Sequence, residues 1–193
     1  MTISRNMSLL AQGSVPTTAG NMLFTADGSV WSSTQKIVRG TAVATTSGTA
    51  VDFTSIPNWV KRITIVLSSV STTGTSPFIL QLGSTTLTTS GYLSRGGVIN
   101  ATPAIGSVSA TAGFVITTPG VNTDTVQGNC TFVNISGNTW VYSGIYYISS
   151  GTPATVWAAG NALALGGVLD RVRLTTSNGT DTFDAGSVNI LYE

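Results

Sequence analysis

Histidine does not occur in these 193 residues, and cysteine occurs once. Without an imidazole, Ser-His-Asp and Cys-His chemistry is excluded, and a catalytic zinc site loses its commonest ligand. A single thiol rules out an intrachain disulfide, so stability must come from packing or assembly. Cys130, inside the apolar run CTFVNI, reads as a small buried hydrophobe rather than a nucleophile. Charge is scarce too, at 8% of residues against roughly 25% in globular chains. The net charge is +1, and the densest cations, Lys61-Arg62 and Arg171 with Arg173, form no patch. Counterion release from phosphates needs clustered cations, so nucleic acid is not an expected partner.

Long apolar runs are missing as well. The stretch VWAAGNALALGGVL is too short and too glycine-rich to span a bilayer. The opening MTISRNMSLLAQGSVP lacks the hydrophobic region of a signal peptide. The expectation is a chain made soluble, with no membrane insertion and no secretion address of its own. The 22 glycines form neither a phosphate-cradling loop nor a dinucleotide fingerprint, and no cofactor is expected.

What the chain has instead is 41% hydrophobic residues, a positive mean hydropathy, and Ser and Thr at about a quarter of its length. Disorder would need low hydrophobicity and high net charge. This composition describes a β protein with a hydroxylated surface.

Residues 1–36 read differently from the rest. Short apolar clusters, Met22-Leu23-Phe24 and Val30-Trp31, flank Asp27-Gly28, a hairpin-type pair. Such a segment is too small to bury these groups alone, so Phe24 and Trp31 are expected to dock on a partner surface. From residue 37 onward, alternating apolar runs are separated by Ser, Thr, Gly, Pro and Asn. KRITIVLSSV puts Ile63, Ile65 and Leu67 on one face, with Arg62, Thr64 and Ser68 opposite. FILQLG, GFVITT, CTFVNI, ATVWAA, DRVRLTT and SVNILY continue the pattern. Roughly seven to nine short strands without a helical period predict an all-β, antiparallel, jelly-roll-like sandwich over 37–193. In the closing segment, Asn178-Gly179 and DAGS each predict a turn.

One strand does more than fill a core. TWVYSGIYYIS carries Trp140, Tyr142, Tyr146 and Ile148 on one face and Val141, Ile145 and Tyr147 on the other. A strand apolar on both faces is buried on both, and the simplest cover for the outer face is another subunit. Tyr142, Tyr146 and Tyr147 are therefore expected at a subunit interface; a long loop or the N-terminal arm is the alternative cover.

Chemistry is thin. Asp181 and Asp184 stand close, as glycoside hydrolysis or a hard cation would require, but TDTFDAGS is also what turns use. No catalytic or metal-ligating residue is assigned. In the loop 84–106, Tyr92 and Arg95 are the candidate receptor contacts, a flat ring beside a directed donor fork; the alternative is a solvated hairpin with Tyr92 capping the core.

Two segments, GTAVDFTSIPNWVKRITIVLSSVSTTGTSPFILQLG (48–83) and LDRVRLTTSNGTDTFDAGSVNILYE (169–193), resemble bacteriophage tail-fibre and related virion proteins. The resemblance implies a virion component assembled in the host cytoplasm. Its β-rich C-terminal domain would form a homotrimer, and its N-terminal part would attach to other virion proteins of tail or capsid. A short tail fibre contacting a host surface glycan or protein is the leading expectation. A capsid decoration or baseplate protein comes second, and a polysaccharide-degrading enzyme third. The resemblance carries over no catalytic residue.

Overall fold

A computed structural model describes residues 23–24, 30–31, 37–100, 105–149 and 153–193. The chain divides into two compact units, Met1–Ile37 and Val38–Glu193. Of the first, the described part is an antiparallel pair, β1 (Leu23–Phe24) and β2 (Val30–Trp31). Leu23 stands opposite Trp31 and Phe24 opposite Val30. The side chains of Phe24 and Trp31, expected to grip the virion, lie outside the described residues.

The second unit is all β. Its first strands are β3 (Val38–Arg39), β4 (Val43–Ala44), β5 (Ala50–Phe53), β6 (Arg62–Thr72), β7 (Phe78–Ser84), β8 (Thr86–Leu87) and β9 (Ser94–Asn100). There follow β10 (Ile105–Ala110), β11 (Phe114–Thr117), β12 (Thr125–Ser136), β13 (Thr139–Ser149), β14 (Ala154–Gly160), β15 (Leu163–Ala164), β16 (Arg171–Thr176) and β17 (Phe183–Tyr192). Every pairing is antiparallel. A large sheet runs β10-β9-β14-β13-β12-β6-β17-β3, with β15 added beside β13 and β4 beside β17. A smaller one runs β11-β7-β16-β5, with β8 beside β7. The two form a sandwich.

Alternation decides what goes between the sheets. Ile63, Ile65 and Leu67 of β6 point inward as their spacing predicts, against Leu80, Leu82, Val172 and Leu174 of the small sheet's core cluster. Phe114 is the aromatic hub. Tyr142 stacks on it at 4.9 Å, Tyr92 meets it edge-on at 4.8 Å, and Phe132 packs beside Phe114 and Tyr142. Each such pair adds about 0.5–1.5 kcal/mol beyond area burial.

The closing segment corrects one expectation and bears out another. Asn178-Gly179 is a turn: Gly179 has φ +68 and its N–H reaches the Thr176 carbonyl at 3.1 Å. The Asn178 side chain holds that turn by accepting from the Thr180 and Asp181 N–H groups. DAGS is no turn. It lies within β17, where the pairing with β6 shifts register twice. Ser69 on β6, at φ 51, is the extra residue of a bulge there, and Gly186 opposite it has φ +91. A Cβ at 186 would collide with the Ser68 and Ser69 carbonyl oxygens, so the glycine that looks like a turn residue serves a bulge. Beyond it β17 is an interior strand, with β6 on one side and β3 and β4 on the other. Glu193 closes the ladder by exchanging backbone bonds with Arg62 at 2.9 and 3.0 Å.

Candidate functional site

The aspartates among the described residues are taken up by structure. Asp181 accepts from the Ser76 N–H at 3.0 Å and from the Asn178 amide at 2.7 Å, and these bonds hold its carboxyl below the usual carboxylate value. Asp184 accepts from the Ser71 hydroxyl. Asp170 takes both Arg171 and the Thr85 N–H, with Arg171 the main cause of its lowered pKa. Asp52 forms a two-pronged pair with Arg173, both contacts 2.6 Å. Asp124 accepts from the Gly120 and Val121 N–H groups. Among the described residues, no three His, Cys, Asp or Glu gather as metal ligands. The Cys130 thiol is buried, and burial pushes its pKa up to about 12, far from nucleophilic use at neutral pH.

Tyr92 is not a receptor contact on this surface. It is 1% exposed, its hydroxyl takes the Leu82 N–H at 2.8 Å and donates to the Thr88 carbonyl at 2.9 Å. Burial raises its pKa to about 12. It caps the core because a ring with a satisfied hydroxyl gains more inside than in water. Arg95 is exposed, yet it belongs to β9 rather than a loop: residues 94–100 pair with both β14 and β10. Tyr142 and Tyr146 need a similar correction. Both face the chain's own core, their hydroxyls 2.9 Å apart, with Tyr142 donating to the Val115 carbonyl at 2.8 Å. Burial holds both phenols well above their usual pKa. They cannot meet another subunit.

The other face of β13, expected to be covered, is open within the chain. Ile145 is 57% exposed and Tyr147 41%. The cross-strand register shows that they are not alone. Across the outer side of the large sheet, one row runs Val66, Asn129, Ile145, Trp157, Gly97 and Ser107. The row beside it runs Gln127, Tyr147, Thr155 and Ile99. Trp157 is 47% exposed, with Val66 and Ile99 also open. A shallow groove of about 460 Å³ lies between Val66, Gln127, Asn129, Ile145, Tyr147 and Thr155. From the Arg62–Glu193 pair, 3.2 Å apart at one corner, to Arg95 at the other, the outer positions of β12, β13 and β14 carry no charge.

The sequence signal for β13 was present in its two apolar faces. The signal for Val66 and Ile99 was not, because Val66 joins Ile145 only across Asn129 and Ile99 joins Tyr147 only across Thr155, through strand pairings distant along the chain; Trp157 faces Ile145 across the adjacent β13–β14 pairing. This contiguous neutral surface can bind by apolar burial and by amide and hydroxyl hydrogen bonds, without ion pairing. Covering five half-exposed apolar side chains is worth roughly 4–7 kcal/mol before ordering costs. No helix among the described residues is long and apolar enough to cross a membrane. No protein-family model, curated protein or solved structure matches the chain.

Proposed function

We propose that this protein is a structural component of a bacteriophage virion, a short tail fibre. Its sandwich domain would assemble as a homotrimer and contact the host surface, and its N-terminal unit would hold the particle. The observation that carries the reading is the uncovered apolar face around Ile145, Tyr147 and Trp157 on a domain whose core is already closed. Monomeric soluble proteins rarely expose a contiguous surface of this kind, and partners commonly explain it. The lack of a disulfide fits a protein that gains stability from association. Arg95, exposed at the rim of the same sheet, remains the candidate receptor contact; Tyr92 does not. Three such heads on one trimer would raise host affinity through effective concentration.

Antibody fragments raised against residues 37–193 test the host-facing role. Bound to intact particles, they are expected to label the tail and to reduce adsorption to host cells at least tenfold. Label spread over the capsid, with adsorption unchanged, would instead make the protein a decoration component.

A further inference from the structure

Asn178 is the one asparagine in the chain that glycine follows, and such a pair can modify itself. The Gly179 nitrogen, having shed its proton, can attack Asn178 Cγ, because glycine puts no side chain in the way of the approach. A C–N bond forms, the Cγ–Nδ2 bond breaks, and Nδ2 leaves as ammonia with the proton that Gly179 gave up. Water then opens the cyclic imide at either carbonyl, leaving aspartate or isoaspartate.

Residues 177–180 are exposed, so water reaches the pair. Yet both reacting nitrogens are engaged. The Gly179 N–H donates to the Thr176 carbonyl at 3.1 Å, and Asn178 Nδ2 donates to Asp181 Oδ1 at 2.7 Å. Asn178 Oδ1 is fixed as well, by the Thr176 hydroxyl at 2.8 Å and by the Thr180 and Asp181 N–H groups at 3.0 and 3.2 Å. Attack therefore waits on a local opening that gives up these bonds. The other oxygen of Asp181 accepts from the Ser76 N–H at 3.0 Å, and the Ser177 N–H reaches the Pro77 carbonyl at 2.8 Å. One side-chain amide thus helps tie the turn to the loop 73–77 that leads into β7.

We infer that Asn178-Gly179 is a self-modification site, restrained by these hydrogen bonds and loosening the 73–77 loop once it has converted. Aspartate at 178 sets an oxygen where Nδ2 now donates, so two carboxylates face each other across the former bond. Isoaspartate also adds a methylene to the backbone inside the turn. Neither product regains its ammonia, so the change runs one way. The reaction needs nothing from a partner.

The test ages the full-length protein in warm, mildly alkaline buffer beside a synthetic peptide of residues 169–193. Peptide mapping follows the mass and isoaspartate content of that segment. Conversion at Asn178 is expected in both, at least about tenfold slower in the folded chain, the rate equivalent of one charge-assisted hydrogen bond given up on opening. Asp181→Ala should bring the folded rate close to that of the peptide. Asn178→Asp, which installs one product directly, should speed hydrogen exchange at the Ser76 and Ser177 amides about tenfold, with the amides of β12 unchanged. Equal rates in protein and peptide would show that the bonds restrain nothing. Unaltered exchange in Asn178→Asp would show that conversion loosens nothing, and a peptide that stays unconverted would show that there is no such site. Each of these overturns the proposal.

Discussion

At the scale of single residues, the most informative group is the buried cluster of Cys130, Tyr142 and Tyr146. A thiol and two phenols are kept neutral by burial, and the Cys130 pKa rises from 9.0 to about 12. An acid whose folded pKa is raised stabilises the native state fully below its unfolded pKa, and loses that contribution as pH climbs toward the folded value. For Cys130 the window is pH 9 to 12, and for Tyr92 it is pH 10 to 12. Inside it, each pH unit removes about 1.4 kcal/mol per group, roughly 3–5 °C of melting temperature for a chain this size. Calorimetry should show a melting temperature that is level up to pH 9 and falls above it. In Cys130→Ala the onset should move toward pH 10. A wild-type melting temperature unchanged to pH 11 would mean these groups are not sealed. The inward rings also show what composition cannot supply. Alternation separates Tyr142 and Tyr146 from Tyr147, but does not say which set faces the core, and Tyr92 looks like a surface ring until its hydroxyl is seen to bond Leu82 and Thr88.

At the scale of elements, the bulge joining β6 and β17 is the feature that sets the end of the chain in place. Ser69 and Gly186 both hold positive φ there, and only glycine fits at 186 because the β6 carbonyls crowd it. Gly186→Ala is expected to cost about 1–3 kcal/mol. Gly137→Ala, also at positive φ but with open space around it, should cost no more than about 1–2 kcal/mol. Urea denaturation of the two variants measures the contrast; equal losses would mean that crowding at Gly186 contributes nothing. The strands themselves were legible, since the period of two in KRITIVLSS and SVNILY places the correct side chains inward. The bulge was not. Ser69 has no residue-type signal for a left-handed backbone, and DAGS satisfies turn chemistry and bulge chemistry alike.

At the scale of the whole molecule, the sandwich hides one apolar face of its large sheet and leaves the other open. Two-sided apolarity in TWVYSGIYYIS pointed to a cover on both faces, and within the chain the outer face has none. Its extent depends on β14 and β6 lying on either side of the β12–β13 hairpin, an arrangement that no local pattern encodes. Assembly through this face is the central claim, and the mass of the purified full-length protein in solution tests it most directly. Light scattering should give a multiple of the 19.8 kDa chain, threefold for the trimer proposed here. Ile145→Asp, which sets a charge at the middle of the face without entering the core, should reduce it to one chain. A wild-type protein that stays at the mass of one chain at high micromolar concentration would contradict the account.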